Sequence, residues 1–172
     1  MIKSNNIDEL NREELLELLK IYAKNWLAHD GCWFLSIEEK SGLEEAINTD
    51  RESWRKFTVV EAKRLIEFLK LGYGSGIEGL AKALKFRLYS TINEDKIEVI
   101  DKNTLLYYVK TCRVQNARRM KDMNDFPCKS VGIVEYSLFA KTIDSQFETE
   151  CLSCPPEINN DDFYCIWKFI LK

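Results

Sequence analysis

Apolar residues recur every three or four positions through the first half of the chain, and at every second position through parts of the second half. From Arg12 onward, Leu15, Leu18, Leu19, Tyr22, Trp26, Trp33 and Ile37 form one stripe, with Glu13, Glu17, Lys20 and Lys24 on the other side. That period predicts a long amphipathic helix, in which Gly31 marks a kink or a break. Thr49 with Glu52, Thr58 with Glu61 and Ser75 with Glu78 each place a hydroxyl three residues before a glutamate. Such a pair can satisfy the unpaired N–H groups of a first turn, so three further helix starts are predicted. Ala62, Leu65, Ile66 and Leu69 continue the second of these up to Gly72-Tyr73-Gly74, and Ile77, Leu80, Ala81, Leu84 and Leu88 continue the third.

The period then changes. Residues 96–100 alternate, Asp101-Lys102-Asn103 reads as a turn, and residues 104–111 read as a partner strand. Residues 113–123 form a short basic helix. A further helix opens at Asp125-Phe126-Pro127-Cys128, with Asp125 as its N-cap and Pro127 in its first turn; its stripe is Val131, Glu135, Leu138, Phe139 and Thr142. Residues 146–151 read as a third strand, and Phe163, Cys165, Trp167, Phe169 and Leu171 share one face of a last one. The expected class is α+β: a single domain over 1–172, with a helical layer at 1–91 packed on a small, mostly antiparallel sheet within 92–172.

Composition narrows the function classes. A chain of 172 residues with 45% hydrophobic and 31% charged positions is large enough for one core. Three prolines and seven glycines argue against long linkers. A net charge of -3 gives no general attraction to nucleic acid or anionic lipid. The opening residues lack an apolar leader and no stretch reaches a membrane span, so the expected location is the cytoplasm, with no membrane or nucleic-acid partner. Thiols stay reduced there, and six cysteines then point to metal ligation, catalysis or burial rather than to disulfides.

Four of those cysteines lie in the last 45 residues. Cys151 and Cys154 form a CxxC step, with Cys128 upstream and Cys165 downstream, so a four-thiolate zinc site is one reading. The other is that Cys165 fills the core as a small hydrophobe. A redox dithiol fits less well, because Pro155-Pro156 bars the helix that would follow it. Were Asp125 the cap, Cys128 would face the positive end of a helix dipole, which lowers a thiol pKa and makes a nucleophile or a metal ligand. Trp26, His29, Asp30 and Trp33 fall on one side of the first helix. The only histidine, beside a carboxylate and between two indoles, reads either as an acid/base group or ligand lining a pocket, or as a core histidine bonded to a carbonyl. Arg113 and Arg118 belong to a basic run that either clamps an anionic group or forms a solvated face. Gly72-Tyr73-Gly74-Ser75-Gly76 lacks the strand and lysine of a phosphate loop and reads as an interhelical turn.

Taken together, His29-Asp30-Gly31-Cys32-Trp33-Phe34, Cys112-Arg113-Val114-Gln115-Asn116-Ala117-Arg118, Asp125-Phe126-Pro127-Cys128-Lys129, and Cys151-Leu152-Ser153-Cys154-Pro155-Pro156 with Tyr164-Cys165-Ile166-Trp167 resemble a family of uncharacterised bacterial and archaeal cytosolic proteins. The portion from Cys128 through Phe169 is more distantly similar to the 2-amino-thiazoline-4-carboxylate hydrolase family, and to the vinyl reductase domain, whose relatives include Golgi-tethering subunits and haem nitric-oxide sensors. This resemblance implies a ligand-binding fold, a helical layer against an antiparallel sheet, and thus a pocket more than a chemistry. The chain departs from the haem sensors in having no histidine in its C-terminal half, and it lacks the glycine-rich spacing of the vinyl reductase pattern.

Three functions follow, in order. The first is a protein that binds a small molecule or metal, zinc, through Cys128, Cys151, Cys154 and Cys165, with Trp26, Trp33, Arg113 and Arg118 lining the ligand site. The second is a hydrolase of a small cyclic amide-like or thiazoline substrate, with Cys128 as nucleophile or zinc ligand and His29 and Asp30 as the acid/base pair. The third is a non-enzymatic interaction subunit, a homodimer joined through an unpaired edge at residues 96–101.

Overall fold

The structure, a computed structural model, describes residues 6–160 and 162–172. Residues 1–5, which were read for the absence of a leader, lie outside it. Helix α1 (Arg12–Ser41) starts at a capping box: the Asn11 side chain accepts from the backbone N–H groups of Glu13 and Glu14, while the Glu14 carboxylate accepts from Asn11 N–H. Gly31 does not break it. The reversal comes at Gly42, whose φ of 87° only glycine adopts readily, and α2 (Leu43–Leu69) returns antiparallel.

Two of the predicted helix starts are thereby corrected. Residues 49 and 58 lie inside α2, and the pair read as a second cap serves long-range bonds instead. The buried Thr58 hydroxyl donates to the Glu135 carbonyl at 3.0 Å, and Glu61 turns to Arg87. The third start holds: α3 (Gly76–Leu84) follows Ser75, although the serine side chain makes no capping bond.

The second half supplies β1 (Glu94–Asp101), β2 (Thr104–Thr111), α4 (Arg113–Arg119), α5 (Lys129–Ile143), β3 (Phe147–Ser153) and β4 (Cys165–Leu171). The four strands form one antiparallel sheet in the order β1-β2-β4-β3, so the class is α+β as the alternation predicted. Leu105, Tyr107 and Val109 of β2 and Cys165, Trp167 and Phe169 of β4 face inward, as period-two burial requires. α5 lies across this face, α2 packs on α5, and α1 packs on α2. None of the described helices is long and apolar enough to cross a membrane.

α5 corrects one expectation that bears on the site. Its N-cap is Cys128, not Asp125, and no side chain caps it. Asp125 is held by the Arg119 guanidinium at 2.8 and 2.6 Å, so its carboxylate is unavailable to the helix. Four residues on, Gly132 is pressed against Trp167: a Cβ there would lie 2.6 and 2.9 Å from ring carbons. Gly132→Ala is expected to force the indole or α5 aside, a change worth about 1–3 kcal/mol. Thermal denaturation would show this as a fall of about 5 °C in Tm, with a changed near-UV tryptophan signal.

Candidate metal centre and its cavity

Cys128 stands at the start of α5, Cys154 just past the end of β3, and Cys165 on the first position of β4. Local bonds bring them together. Cys154 N–H donates to the Glu157 carbonyl, Lys129 N–H donates to the Pro155 carbonyl, and Lys129 Nζ pairs with Glu157 at 2.6 Å, so the loop after β3 is laced to the first turn of α5. From the other side Gln115, fully buried on α4, clamps the peptide of Phe126. Its Nε2 donates to the Phe126 carbonyl at 2.7 Å and its Oε1 accepts from Phe126 N–H at 2.8 Å. The same amide reaches Cys128 Sγ at 3.6 Å.

The result is a group of three sulfurs, all within 4.8 Å of one another, with Cys154 Sγ 3.4 Å from both Cys128 and Cys165. Zinc–sulfur bonds of about 2.3 Å at tetrahedral angles set sulfurs about 3.8 Å apart. Opening the two 3.4 Å pairs by a few tenths of an ångström would bring them to that spacing. The group is electrostatically prepared as well. Thiol donors on Cys154 and Cys165, then Gln115, hold the Cys128 pKa well below the usual thiol range, whereas Cys154 and Cys165 are pushed up as the donors to it. One thiolate is therefore already favoured, and metal ligation displaces the remaining protons.

Cys151 behaves differently. It meets Cys154, whose thiol bond lowers its pKa, but lies outside the mutually close group. Between the two halves of the CxxC step the β3–β4 register shifts, with Cys151 opposite Trp167 and Ser153 opposite Ile166, and only Cys154 joins the close group. Cys112, which the sequence reading passed over, lies close by. Burial pushes its thiol up to about 11, so it stays protonated at neutral pH.

Cys128, Cys154 and Cys165 line a cavity of 430 Å³ between the sheet and the helices. Asp30, Asp50, Trp54 and Tyr89 line it as well, and Arg113 and Arg118 also border it. Arg118 is committed, with both guanidinium nitrogens on the Glu38 carboxylate at 2.8 and 3.1 Å. Arg113 is exposed and has no ion pair among the described residues. His29 does not line this cavity. With Trp26, Asp30 and Trp33 it borders a second one of 590 Å³ between α1 and α2, where His29 is exposed and Trp33 is 63% exposed. The helical face is as the spacing predicts, but it brings Asp30, not His29, to the thiol cavity.

Sequence reasoning also passed over Asp50 and the full role of Glu135. Burial, then the charges of Asp30, Glu135 and Cys128, push Asp50 up to about 7, offset in part by a hydrogen bond from the Trp54 indole. A carboxyl raised in this way is destabilising when ionised. The deficit grows as pH rises from the ordinary aspartate range through about 7 and is constant above it. Asp50→Asn should therefore raise Tm at pH 8 by about 3 °C and leave it unchanged near pH 4, a contrast that thermal scans at the two pH values would read.

Comparison with known proteins adds a family. A family model described as a family of unknown function (DUF6125) matches residues 8–171 of the chain. No curated protein matches it.

Proposed function

The chain belongs to that family of unknown function, DUF6125, and on this footing we propose that it is a cytoplasmic protein that binds one zinc ion through Cys128, Cys154 and Cys165 and a small molecule in the cavity they border. One observation carries the reading: three thiols from three separate elements lie within 4.8 Å of one another. Soft thiolates select zinc among the abundant divalent ions. All three ligands border the cavity and Cys151 does not. An ion held by these three would have the small-molecule space beside it and could keep a position for a guest, as working zinc sites do. The test is metal analysis of protein purified without chelator, where about one equivalent of zinc is expected. Metal-free protein that fails to take up zinc or cobalt on addition would overturn it.

A hydrolase of a small cyclic amide-like or thiazoline compound is the second reading. It is favoured by Asp50, which lines the same cavity and changes charge at about 7, where a general base is effective. In this version Asp50 and Asp30 take the acid/base role, and the substrate class is the one that the resemblance read in the sequence implies. Loss of turnover in Asp50→Asn with zinc retained would support it over binding alone.

A further inference from the structure

Part of the cavity's lining has a composition that the thiol centre does not explain. Asp30 and Asp50, on facing helices, both border it, and neither has an ion pair among the described residues. The buried cation nearby is Arg87, and its guanidinium is already held by Glu61 and Glu135 at 2.8 and 2.7 Å. Aromatic rings adjoin the two aspartates. Trp54 and Tyr89 stack with centroids 5.9 Å apart and both border the cavity. Carboxylates beside indole and phenol faces form the surroundings that attract an organic cation, through charge and through the ring quadrupole.

The same cavity has an unused donor. Trp167 is 1% exposed, borders the cavity, and its buried indole N–H meets no acceptor among the described residues. Buried donors without partners are rare in folded proteins. The ring is held in place by Tyr136, 4.7 Å away, and by the close approach of Gly132. Cys165 and Trp167 share the inner face of β4, and both line the cavity.

We propose that the guest of this cavity is an organic amine: its ammonium group sits between Asp30 and Asp50 against Trp54 and Tyr89, and a hydrogen-bond acceptor elsewhere on it takes the Trp167 N–H. The inference deepens the small-molecule reading. It requires the cavity but not the metal. The ammonium supplies the countercharge that two facing aspartates lack, and the acceptor satisfies the orphan indole. A neutral compound of the same shape leaves both unmet, so the site discriminates by charge.

Three probes test this by calorimetry on the full-length protein, with zinc content measured on the same samples. They are n-butylamine, n-butanol as its uncharged counterpart, and 5-aminopentanamide, which adds a carbonyl acceptor. Butylamine should bind saturably and about tenfold or more tighter than butanol. Asp30→Asn and Asp50→Asn should each reduce it toward the butanol level. 5-Aminopentanamide should bind more tightly than butylamine, and Trp167→Phe, which keeps the ring, should erase that gain alone. Equal affinity for amine and alcohol, or retention of amine binding in both aspartate variants, would overturn the proposal even with zinc bound. Selective amine binding by protein that takes up no metal would support it and would refute the metal centre alone. Should one aspartate variant fail to fold, the other carries the comparison.

Discussion

Cys154→Ser is expected to abolish the proposed zinc binding, while Cys151→Ser leaves it in place. The two cysteines are three residues apart, yet only Cys154 belongs to the group of mutually close sulfurs. Cys154 Sγ is 3.4 Å from each of the other two sulfurs, so it is the corner the group shares. A serine hydroxyl there stays protonated at neutral pH and is a poor ligand for a soft ion. Loss of an outer-shell partner reduces affinity by about 10–100-fold, and loss of a direct thiolate should exceed that range. The measurements are zinc content and the absorption of the cobalt-substituted protein. The wild-type Tm should also rise with added zinc while the variant's does not, because only a folded site that binds the ion gains stability from it. Zinc retained in Cys154→Ser would remove the centre from consideration. Equal loss in Cys151→Ser would instead mean a closed site of four thiolates, with no position left for a guest.

The difference between the two cysteines could not be read from the chain. CxxC spacing shows only that two sulfurs are near each other. Which of the two joins the other thiols depends on how β3 pairs with β4, with a register shift between Cys151 and Ser153. Period-two alternation, by contrast, survives any tertiary context in which one face is buried, so the inner face of β4 was legible residue by residue. The capping-box pattern at Thr58 and Glu61 misled for a related reason. Hydroxyl and carboxylate groups bond equally well to a first turn or to a neighbour far along the chain. Here the neighbours are Glu135 and Arg87, 77 and 26 residues away. Asp125 was read as a cap because no local rule could foresee Arg119 folding back onto it. The expected convergence of His29 on the thiols failed by one residue of helix: the next position, Asp30, rotates toward both cavities. Asp50 gave no local signal, since it becomes notable only when α1 sets Asp30 opposite it.

The largest stability effect should come from Arg87→Met. The Arg87 guanidinium is 2% exposed and lies between the carboxylates of Glu61 and Glu135, with the Phe139 and Tyr136 rings 4.6 and 5.2 Å from it. Methionine fills much of the same volume but leaves two buried carboxylates without a countercharge. Breaking a buried pair from one side costs about 3–5 kcal/mol, which in a chain of this size lowers Tm by about 10–15 °C. The pH dependence separates charge from packing. Burial already pushes Glu135 up to about 7 with Arg87 present, and removal of the guanidinium raises it further. A carboxyl with a raised folded pKa holds its proton longer in the native state, so the deficit is full above that pKa and shrinks as pH falls toward the ordinary glutamate range. Arg87→Met should thus be far less stable than wild type at pH 8 and approach it near pH 4.5. Adding Glu135→Gln should restore part of the loss at pH 8, since one buried charge disappears. A deficit that stays constant with pH, or no recovery in the double variant, would assign the effect to lost packing around the rings. The outcome also bears on the cavity: Glu135 borders it, so the arginine that stabilises the core also neutralises a carboxylate in the cavity lining.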